Sequence, residues 1–528
     1  MSTDISKKLS EEVQKRRTFA IISHPDAGKT TLTEKLLLFG GAIRLAGTVK
    51  GRKASRHATS DWMEIEKQRG ISVTSSVMQF DYNGHRVNIL DTPGHQDFSE
   101  DTYRTLTAAD SAVMLIDSAK GVEAQTKKLF QVCRMRGIPI FTFINKLDRE
   151  GRNPFELLEE LENLLGIRSY PMNWPIGMGK QFCGVYDRKL TQVELFQGDD
   201  HREIKVKKVS GYEDPIVKEI AGEFFYDQLV QDLELLDVAG DEFDYEKVRT
   251  GELTPVFFGS AINNFGVQTF LENFLQLAPA PTSRKTSDGS IIEPLNEKFT
   301  GYVFKIQANM NPAHRDRLAF LRICSGKFER GMSVKHVRAG KDIKLSQPQQ
   351  FLAQDRDIVD EAFPGDIIGL FDPGIFRIGD TLSQAGVLEF DELPTFSPEL
   401  FSKVTVKNAL KHKQFQKGVD QLTEEGTIQV FKTIGFEDLI LGVVGQLQFE
   451  VFEYRMKGEY GVDVQLSRMT YQFARWLVGD DIDPSKFRIN SQLVKDKNDN
   501  YVALFENEYA LRTSTEKNPT LKFLETAP

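Results

Sequence analysis

Short runs of β-branched and aromatic residues alternate with amphipathic helical patterns from Arg17 to about Leu277. Runs of this kind are typical of parallel strands that are buried on both faces. The segments between them, such as GVEAQTKKLFQVCRMRG, repeat their apolar residues with the period of a helix. The pattern predicts a doubly wound α/β domain. Its expected strands are TFAIIS (18–23), RVNIL (86–90), SAVMLID (111–117), IPIFTFI (138–144) and TPVFF (254–258).

The stretch between the fourth and fifth expected strands is far longer than one crossover helix requires. It is rich in charge and has apolar segments of its own, so we expect an insertion at about 165–250. The later segment APAPTSRKTSDGS (278–290) combines proline, serine and glycine with few apolar residues, which is typical of a linker.

Short strand patterns with turn signals then follow over about 298–390, and their spacing predicts a small β-barrel. From Ser402 the order becomes strand, helix, strand, strand, helix, strand, which is the split ferredoxin-like arrangement. A strand or two and a helix are expected after it. The fold class we expect is multidomain α/β, with a doubly wound domain over 1–280, a linker over 281–297, a β-barrel domain over 298–392 and an α+β ferredoxin-like domain over 393–528.

Composition narrows the class of protein only slightly. The chain has 528 residues and a net charge of -9, so nucleic acid could be bound only through local basic patches. Candidate patches are KVKK (205–208), HRDR (314–317) and KHKQFQK (411–417). The three cysteines lie far apart, the N-terminal segment is charged, and no apolar run is long enough to span a bilayer. These features favour a cytoplasmic protein without a membrane segment.

The segment SHPDAGKTT connects an expected strand to an expected helix, which is the context of a phosphate-binding loop. Backbone N–H groups of such a loop and the following helix N-terminus bind phosphate oxygens. Lys29 would reach the β- and γ-phosphates, and the Thr30 hydroxyl would bind Mg²⁺. The first glycine of the usual pattern is replaced by serine. The expected nucleotide-binding residues are Ser23, His24, Pro25, Asp26, Ala27, Gly28, Lys29, Thr30 and Thr31.

A second motif, DTPGH, follows the expected strand RVNIL. Asp91 would stand at the strand's carboxyl end, where a carboxylate that organises Mg²⁺ belongs, and Gly94 would give its N–H to the γ-phosphate. His95 could orient the attacking water, and we predict it as the catalytic residue. The expected nucleotide-binding residues of this motif are Asp91, Thr92, Pro93, Gly94 and His95.

A third motif, NKLD, and a short GSA segment follow the last two expected strands, and they indicate the base. The Asp148 carboxylate can accept from guanine N1–H and N2–H₂, a donor set that adenine lacks. Asn145 would approach the O6/N7 edge, the stem of Lys146 would cover the ring, and backbone N–H groups of GSA would touch O6. The residues concerned are Asn145, Lys146, Leu147, Asp148, Gly259, Ser260 and Ala261.

The motifs together predict a P-loop GTPase that binds GTP or GDP with Mg²⁺. The run RGIS (69–72) lies where a first switch is expected, and Ser72 would be a third Mg²⁺ ligand beside Thr30 and Asp91. Segments 48–72 and 92–107 are the expected switches, ordered by GTP and released on hydrolysis. No arginine is obviously placed to assist in cis, so we expect slow hydrolysis alone and strong stimulation by a partner.

These motifs, with DWMEIEKQRGIS before the second strand, resemble those of translational GTPases of the elongation factor G superfamily. Ser72 replaces the superfamily's usual threonine and Ser23 its glycine. With a length of 528 residues, we expect no counterpart of the superfamily's fourth and fifth domains. Along nearly its whole length it is similar to the bacterial release factor three family, as HPDAGKTT, SDWMEIEKQRGIS, DTYRTLTA, FKIQANM and QLTEEGTIQVF indicate. That family also has serine at the position of Ser23.

The resemblance implies a ribosome-dependent GTPase of translation termination that recycles codon-reading release factors after peptide release and has no stop-codon specificity. The nucleotide domain would dock on the sarcin–ricin loop of the large subunit, which would complete the site around His95. The barrel and third domain would contact the small subunit, with 314–317 and 411–417 as candidate rRNA contacts. We expect a monomer with no membrane partner.

Three alternatives stay open. A translocase relative or a ribosomal protection protein would share these motifs, although the chain length disfavours both. A nucleotide-gated binding scaffold that never hydrolyses GTP is disfavoured by Thr30, Asp91 and His95. A metabolic ATPase or kinase is disfavoured by Asp148.

Overall fold

The computed structural model describes residues 2–43, 65–66, 71–196, 204–308, 317–346, 348–352, 355–391, 393, 395–435, 438–479, 482–487 and 490–527. Most of the expected first switch, 48–72, lies outside the described residues, as do residues 314–316 of the basic run HRDR. Among the described helices, none has the length and apolar character needed to cross a membrane.

The elements of the first domain alternate between strands and helices, as the hydrophobic pattern predicts. Its strands are β1 (Arg16–Ser23), β2 (Ser76–Tyr82), β3 (His85–Asp91), β4 (Ser111–Asp117), β5 (Ile140–Asn145), β6 (Arg168–Pro171), β7 (Asn173–Ile176), β8 (Gly184–Asp187), β9 (Gln192–Phe196), β10 (Ile204–Lys208) and β11 (Leu253–Phe258). Its helices are α1 (Ser2–Lys15), α2 (Lys29–Phe39), α3 (Ser99–Thr107), α4 (Ala124–Met135), α5 (Pro154–Leu165), α6 (Pro215–Ala221), α7 (Glu223–Ala239), α8 (Tyr245–Thr250) and α9 (Val267–Leu277).

A seven-stranded sheet in the order β2-β3-β1-β4-β5-β11-β6 forms the centre of this domain. β2 pairs antiparallel with β3, and the other neighbours are parallel. Helices cover both faces: Leu36 of α2 and Phe274 of α9 are buried on one, and Leu129 of α4 and Leu161 of α5 on the other. The carboxyl ends of the parallel strands therefore meet at one edge, where ligands bind in such folds.

The insertion begins later than about residue 165, because β6 still belongs to the central sheet and pairs with β11. Strands β7 to β10 form a separate antiparallel sheet, accompanied by α6, α7 and α8. Trp174 of β7 is fully buried and donates from Nε1 to Asp232 of α7 at 3.0 Å. This contact joins the inserted sheet to its longest helix.

The second domain is an eight-stranded antiparallel sheet that curls around one apolar core, the expected β-barrel. The strands of this region are β12 (Arg284–Lys285), β13 (Ile291–Ile292), β14 (Thr300–Ala308), β15 (Arg317–Ser325), β16 (Phe328–Glu329), β17 (Ser333–His336), β18 (Lys341–Lys344), β19 (Pro348–Leu352), β20 (Asp355–Ile358), β21 (Glu361–Ala362), β22 (Ile367–Phe371) and β23 (Thr381–Ser383). The order of strands in the eight-stranded sheet is β18-β17-β23-β14-β15-β22-β19-β20, and a hairpin of β12 and β13 lies in the expected linker.

The third domain contains the predicted strand and helix order and then departs from the expectation. Its elements are β24 (Leu400–Val406), α10 (His412–Glu424), β25 (Gln429–Thr433), β26 (Leu439–Val443), α11 (Gln446–Gly458), β27 (Val464–Arg468), β28 (Phe473–Val478), β29 (Ser491–Asp496), β30 (Tyr501–Phe505), α12 (Glu508–Lys517) and β31 (Lys522–Leu524). The last part adds four strands rather than one or two. They continue one sheet in the order β27-β24-β26-β25-β29-β30-β28-β31.

Ion pairs with at least one buried partner join the three domains. Asp110 of the first domain pairs with Arg322 of the barrel at 2.5 Å and with Arg284 at 2.9 Å. Arg317 of the barrel pairs with Glu424 of the third domain. Buried charges of this kind are stable only when paired, so the contacts fix how the domains pack.

Candidate nucleotide site

The phosphate loop begins where β1 ends and closes at the start of α2. Ser23 is still part of β1, so its backbone is extended and does not require glycine. Its hydroxyl is buried and has no hydrogen-bond partner among the described residues. Gly28 has φ +102°, and a Cβ at this position would collide with Nδ2 of Asn145, so this glycine is required for conformation and for space.

The phosphate loop and the DTPGH segment are in contact, and the residues that meet are buried. Lys29 forms an ion pair with Oδ1 of Asp91, and the two side chains are 7% and 2% exposed. The Thr92 hydroxyl donates to the carbonyl of Ile21 at 2.7 Å, which fixes the segment to β1. A Cβ on Gly94 would lie 3.3 Å from the backbone nitrogen of Pro25. The structure thus brings together the lysine and the carboxylate that a phosphate and a cation would require.

The Asn145 side chain bridges three segments. Its Nδ2 donates to the carbonyl of Ala27 at 2.9 Å, and its Oδ1 accepts from the N–H of Ala261 at 2.8 Å. Both ends of the amide therefore bind backbone groups, whereas the sequence predicted that Asn145 approaches the base. In this structure Asn145 holds the phosphate loop against the loop that follows β11.

The head group of Lys146 is fixed between two oxygens. Its Nζ donates to the carbonyl of Asp26 at 2.5 Å and to Oδ2 of Asp117 at 2.7 Å. Burial raises the pKa of Asp117, but the hydrogen bonds from Lys146 and from the N–H of Ala119 outweigh burial, and the pKa is lowered. Sequence reasoning missed Asp117, although its place at the end of SAVMLID was a usable signal.

The Asp148 carboxylate accepts a hydrogen bond from the Ser260 hydroxyl at 2.5 Å. The sequence predicted that N–H groups of Gly259, Ser260 and Ala261 contact the base, but all three donate within the protein. Their acceptors are the carbonyl of Ile144, the carbonyl of Phe265 and the Oδ1 of Asn145. In this structure the GSA segment therefore contacts the side chains of Asp148 and Asn145 and orients them.

His95 follows Gly94 and begins a short 3₁₀ turn, Gln96–Phe98. Its Nδ1 lies 3.2 Å from the backbone nitrogen and 3.2 Å from Oδ1 of Asp97, so it accepts from the N–H when it is unprotonated and donates to the carboxylate when it carries a proton. The ring is about one-third exposed, at 32%. Because Nδ1 faces Asp97, Nε2 is the ring nitrogen that is turned to other partners.

The other predicted site residues lie in the same loops and are partly or fully buried. His24 places Nε2 3.3 Å from Oε1 of Glu123, and Leu147 of the NKLD motif is fully buried. Thr30 is buried beside Lys29 at the start of α2, and Thr31 is half-buried next to it. Ser72 is half-buried directly before Val73, and its role as a Mg²⁺ ligand stays a prediction.

The donor set fits a Mg²⁺ ion that is bound mainly by phosphate and water. No cluster of three or more histidine, cysteine, aspartate or glutamate side chains occurs in the part of the chain that the structure describes. Mg²⁺ in nucleotide sites uses one or two protein oxygens and leaves its other positions to phosphate and water. A hydroxyl at Thr30 and a carboxylate at Asp91 suit that requirement.

Comparisons with known proteins identify the three domains. Residues 14–280 match the family model described as the elongation factor Tu GTP binding domain, 298–385 match elongation factor G domain 2, and 390–515 match the C-terminal domain of class II release factor RF3. A crystal structure of a Thermus thermophilus protein has a TM-score of 0.70, covers 92% of this chain and 72% of its own, and is 24% identical.

Curated relatives extend the match to nearly the full chain. Peptide chain release factor 3 of Symbiobacterium thermophilum is 62% identical over 98% of this chain and 99% of its own. The proteins of the same name from Listeria monocytogenes and Enterococcus faecalis are 59% and 60% identical, over 98% and 97% of this chain and 99% and 98% of their own.

The fold and the site together define a translational GTPase, with a guanine-nucleotide domain followed by an elongation factor G-type barrel. The likeness over nearly the full length narrows the class further. The chain belongs to the peptide chain release factor 3 family.

Proposed function

We propose that this protein is a ribosome-stimulated GTPase that promotes the dissociation of codon-reading release factors after peptide release, without stop-codon specificity of its own. The observation that carries the proposal is the convergence of four loops at one sheet edge. Lys29 meets Asp91, Asn145 joins the loops at Ala27 and Ala261, and Ser260 binds Asp148.

The residues have separate tasks in hydrolysis. Lys29 and the loop amides bind the phosphates, and Asp148 selects guanine. His95 orients the attacking water through Nε2, since its Nδ1 is held by Asp97. Thr30, Ser72 and Asp91 would hold Mg²⁺, which neutralises charge on the β- and γ-phosphates when it is bound. None of the predicted site residues is an arginine, which supports the proposal that a partner supplies the stimulating group.

The ribosome is the partner we propose, with the sarcin–ricin loop beside His95 and the small subunit against the barrel and third domain. A role at the ribosome places the protein in the cytoplasm. Arg317, the one described residue of HRDR, is buried and is paired with Asp372 at 2.6 Å and with Glu424, so its charge is already used within the protein. Lys413 and Lys417 are exposed, which supports 411–417 as a candidate rRNA contact.

The decisive experiment uses ribosomes stopped at a stop codon after peptide release that carry a fluorescent codon-reading release factor. The departure of that factor is followed with GTP, with and without this protein. We expect faster departure with the wild-type protein and loss of repeated turnover with His95→Ala.

His85→Ala is the matched control. His85 is a partly exposed histidine at the start of β3, and its ring contacts the carbonyl of Asn83 in the β2–β3 turn. It should behave as the wild type. Unchanged departure of the release factor, together with ribosome-stimulated hydrolysis of GTP, would reject the recycling role and keep the GTPase.

A further inference from the structure

Helix α11 of the third domain begins without a capping side chain of its own, because the residue before it is Gly445. The first N–H groups of a helix require an acceptor, which a serine, threonine, asparagine or aspartate at this position usually supplies. Here the acceptor comes from the first domain. Oδ2 of Asp97 accepts from the N–H of Leu447 at 2.8 Å, across 350 residues of sequence.

Gly445 provides space rather than conformational freedom. Its φ is -142° and its ψ is 161°, an extended backbone that any residue adopts. A Cβ at this position would overlap the carboxylate of Asp97. The neighbouring amides of Val444 and Gly445 are bound separately by Oε1 of Gln448, at 2.8 and 3.1 Å. The absence of a side chain at Gly445 therefore leaves room for the Asp97 carboxylate.

The same carboxylate reaches His95. Oδ1 of Asp97 lies 3.2 Å from Nδ1 of the histidine, while Oδ2 remains on the helix. Burial raises the pKa of Asp97, but the hydrogen bonds from His95 and Leu447 outweigh burial and lower it. One charged group thus connects the predicted catalytic histidine to an element of another domain.

Apolar contacts support this connection. Phe98, the next residue, is buried in a cluster with Val451 of α11. Ile65, which belongs to the expected first switch, and Val73, which directly follows it, complete that cluster. Both switch regions therefore pack against the first two turns of one helix.

We infer that Asp97 is a positioning residue for His95, and that its place at the N-terminus of α11 makes GTP hydrolysis depend on the docking of the third domain. The inference rests on the proposed GTPase function. Separation of α11 from the first domain would remove one of the two anchors of Asp97. His95 would then lose its fixed orientation, although every other residue of the nucleotide site remained in place.

Gly445→Ala tests the inference from a site outside the nucleotide pocket. Hydrogen exchange of the full chain should become faster in peptides covering 93–100 and 445–450, because the methyl group displaces the carboxylate. Gly458→Ala is the matched control at the other end of the same helix, since a Cβ there meets nothing within 4 Å. Exchange that is faster in neither peptide, or in 445–450 alone, would overturn the contact.

Kinetics then test the positioning role. On ribosomes, Gly445→Ala and Asp97→Asn should each lower kcat for GTP about tenfold, the effect of one lost charge-assisted hydrogen bond, with KM and GDP affinity unchanged. The double variant should be no slower than the slower single variant, because both changes remove one contact.

The outcomes separate the two proposals. Suppose that the wild-type protein hydrolyses GTP on ribosomes and that Gly445→Ala shows faster hydrogen exchange in both peptides but an unchanged kcat. That result would overturn the positioning role and leave the proposed GTPase activity intact. A wild-type protein without ribosome-stimulated hydrolysis would overturn the proposed function and the positioning role together. A lower kcat accompanied by weaker GDP binding would indicate general damage to the domain, and it would also contradict positioning.

Discussion

At the scale of single residues, the Asp148 carboxylate, which we propose selects the base, accepts a hydrogen bond from the Ser260 hydroxyl at 2.5 Å. Asp117, by contrast, accepts from Lys146 at 2.7 Å. The proposal therefore assigns base selection to Asp148 and a supporting role to Asp117.

We predict that Asp148→Asn shifts the preference from guanosine to xanthosine nucleotides, because an amide donates where the carboxylate accepted. Competition of GDP and xanthosine diphosphate for the protein measures the shift. Asp117→Asn is the control, and it should weaken both nucleotides alike. An unchanged preference in Asp148→Asn would show that the base binds elsewhere.

Sequence patterns revealed the motif residues, since their types and order are set by the chemistry of phosphate, Mg²⁺ and guanine. They did not reveal Asp117 or Asp97 as contacts, because each depends on a partner from a distant segment. For the same reason the sequence did not reveal the contacts of Asn145. It predicted that Asn145 approaches the base, and in the structure the side chain binds the backbone of Ala27 and Ala261.

At the scale of elements, the inserted sheet is joined to the central domain through a buried carboxyl. Glu194 of β9 is 1% exposed, accepts from the Thr269 hydroxyl of α9, and leaves Oε2 without a partner among the described residues. Burial raises its pKa to about 7, although Thr269 lowers it, and the nearby Asp187 and Glu272 add to the rise.

This carboxyl should lower the free energy of unfolding as the pH rises. An unfolded chain releases the proton near pH 4.5, while the folded chain keeps it until about pH 7, so the folded state binds more protons in that interval. The free energy of unfolding should fall by roughly 3 kcal/mol between these values, since one pKa unit is about 1.4 kcal/mol. Above pH 7 the contribution is constant.

Urea unfolding at pH 5 and pH 8 measures this effect, and Glu194→Gln should reduce the difference between the two. Glu234→Gln on the exposed face of α7 is the matched control and should keep the wild-type difference. Equal pH dependence in all three proteins would mean that Glu194 is ionised in the folded state.

The elements that the sequence missed are mainly edge or short strands. β2 contains Gln79 and Asp81 in place of a continuous apolar run, and the buried Gln79 donates from Nε2 to Oδ1 of Asn88 at 2.6 Å. β6 and β31 have only four and three residues. Apolar periodicity has little signal in such segments, whereas the buried central strands were predicted to within a few residues.

At the scale of the whole molecule, Asp110 is the centre of the contact between the first domain and the barrel. Its side chain is fully buried, and Arg322, Arg284 and Thr282 all bind it. Burial lowers the pKa of Arg284, but the Asp110 carboxylate outweighs burial and raises it. Removing the negative charge would leave two guanidinium groups in a low-dielectric environment.

We predict that Asp110→Asn lowers the free energy of unfolding by roughly 3–5 kcal/mol, the usual cost of leaving buried charges unpaired. Chemical denaturation measures the loss. Asp81→Asn is the control, because Asp81 is mostly exposed in its pair with Arg86 and the pair should contribute less than about 1 kcal/mol. Similar losses in both variants would show that the two domains are not held by this cluster.

Helix α1 packs on the barrel rather than on its neighbours in sequence. Leu9 and Val13 bury against Phe363, and Arg16 pairs with Asp366 at 2.8 Å, 350 residues further along the chain. A ribosome adds about 5–20 residues per second, so the partner surface is made roughly 20 to 70 seconds after the helix. During synthesis α1 therefore emerges well before the barrel surface against which it packs is made.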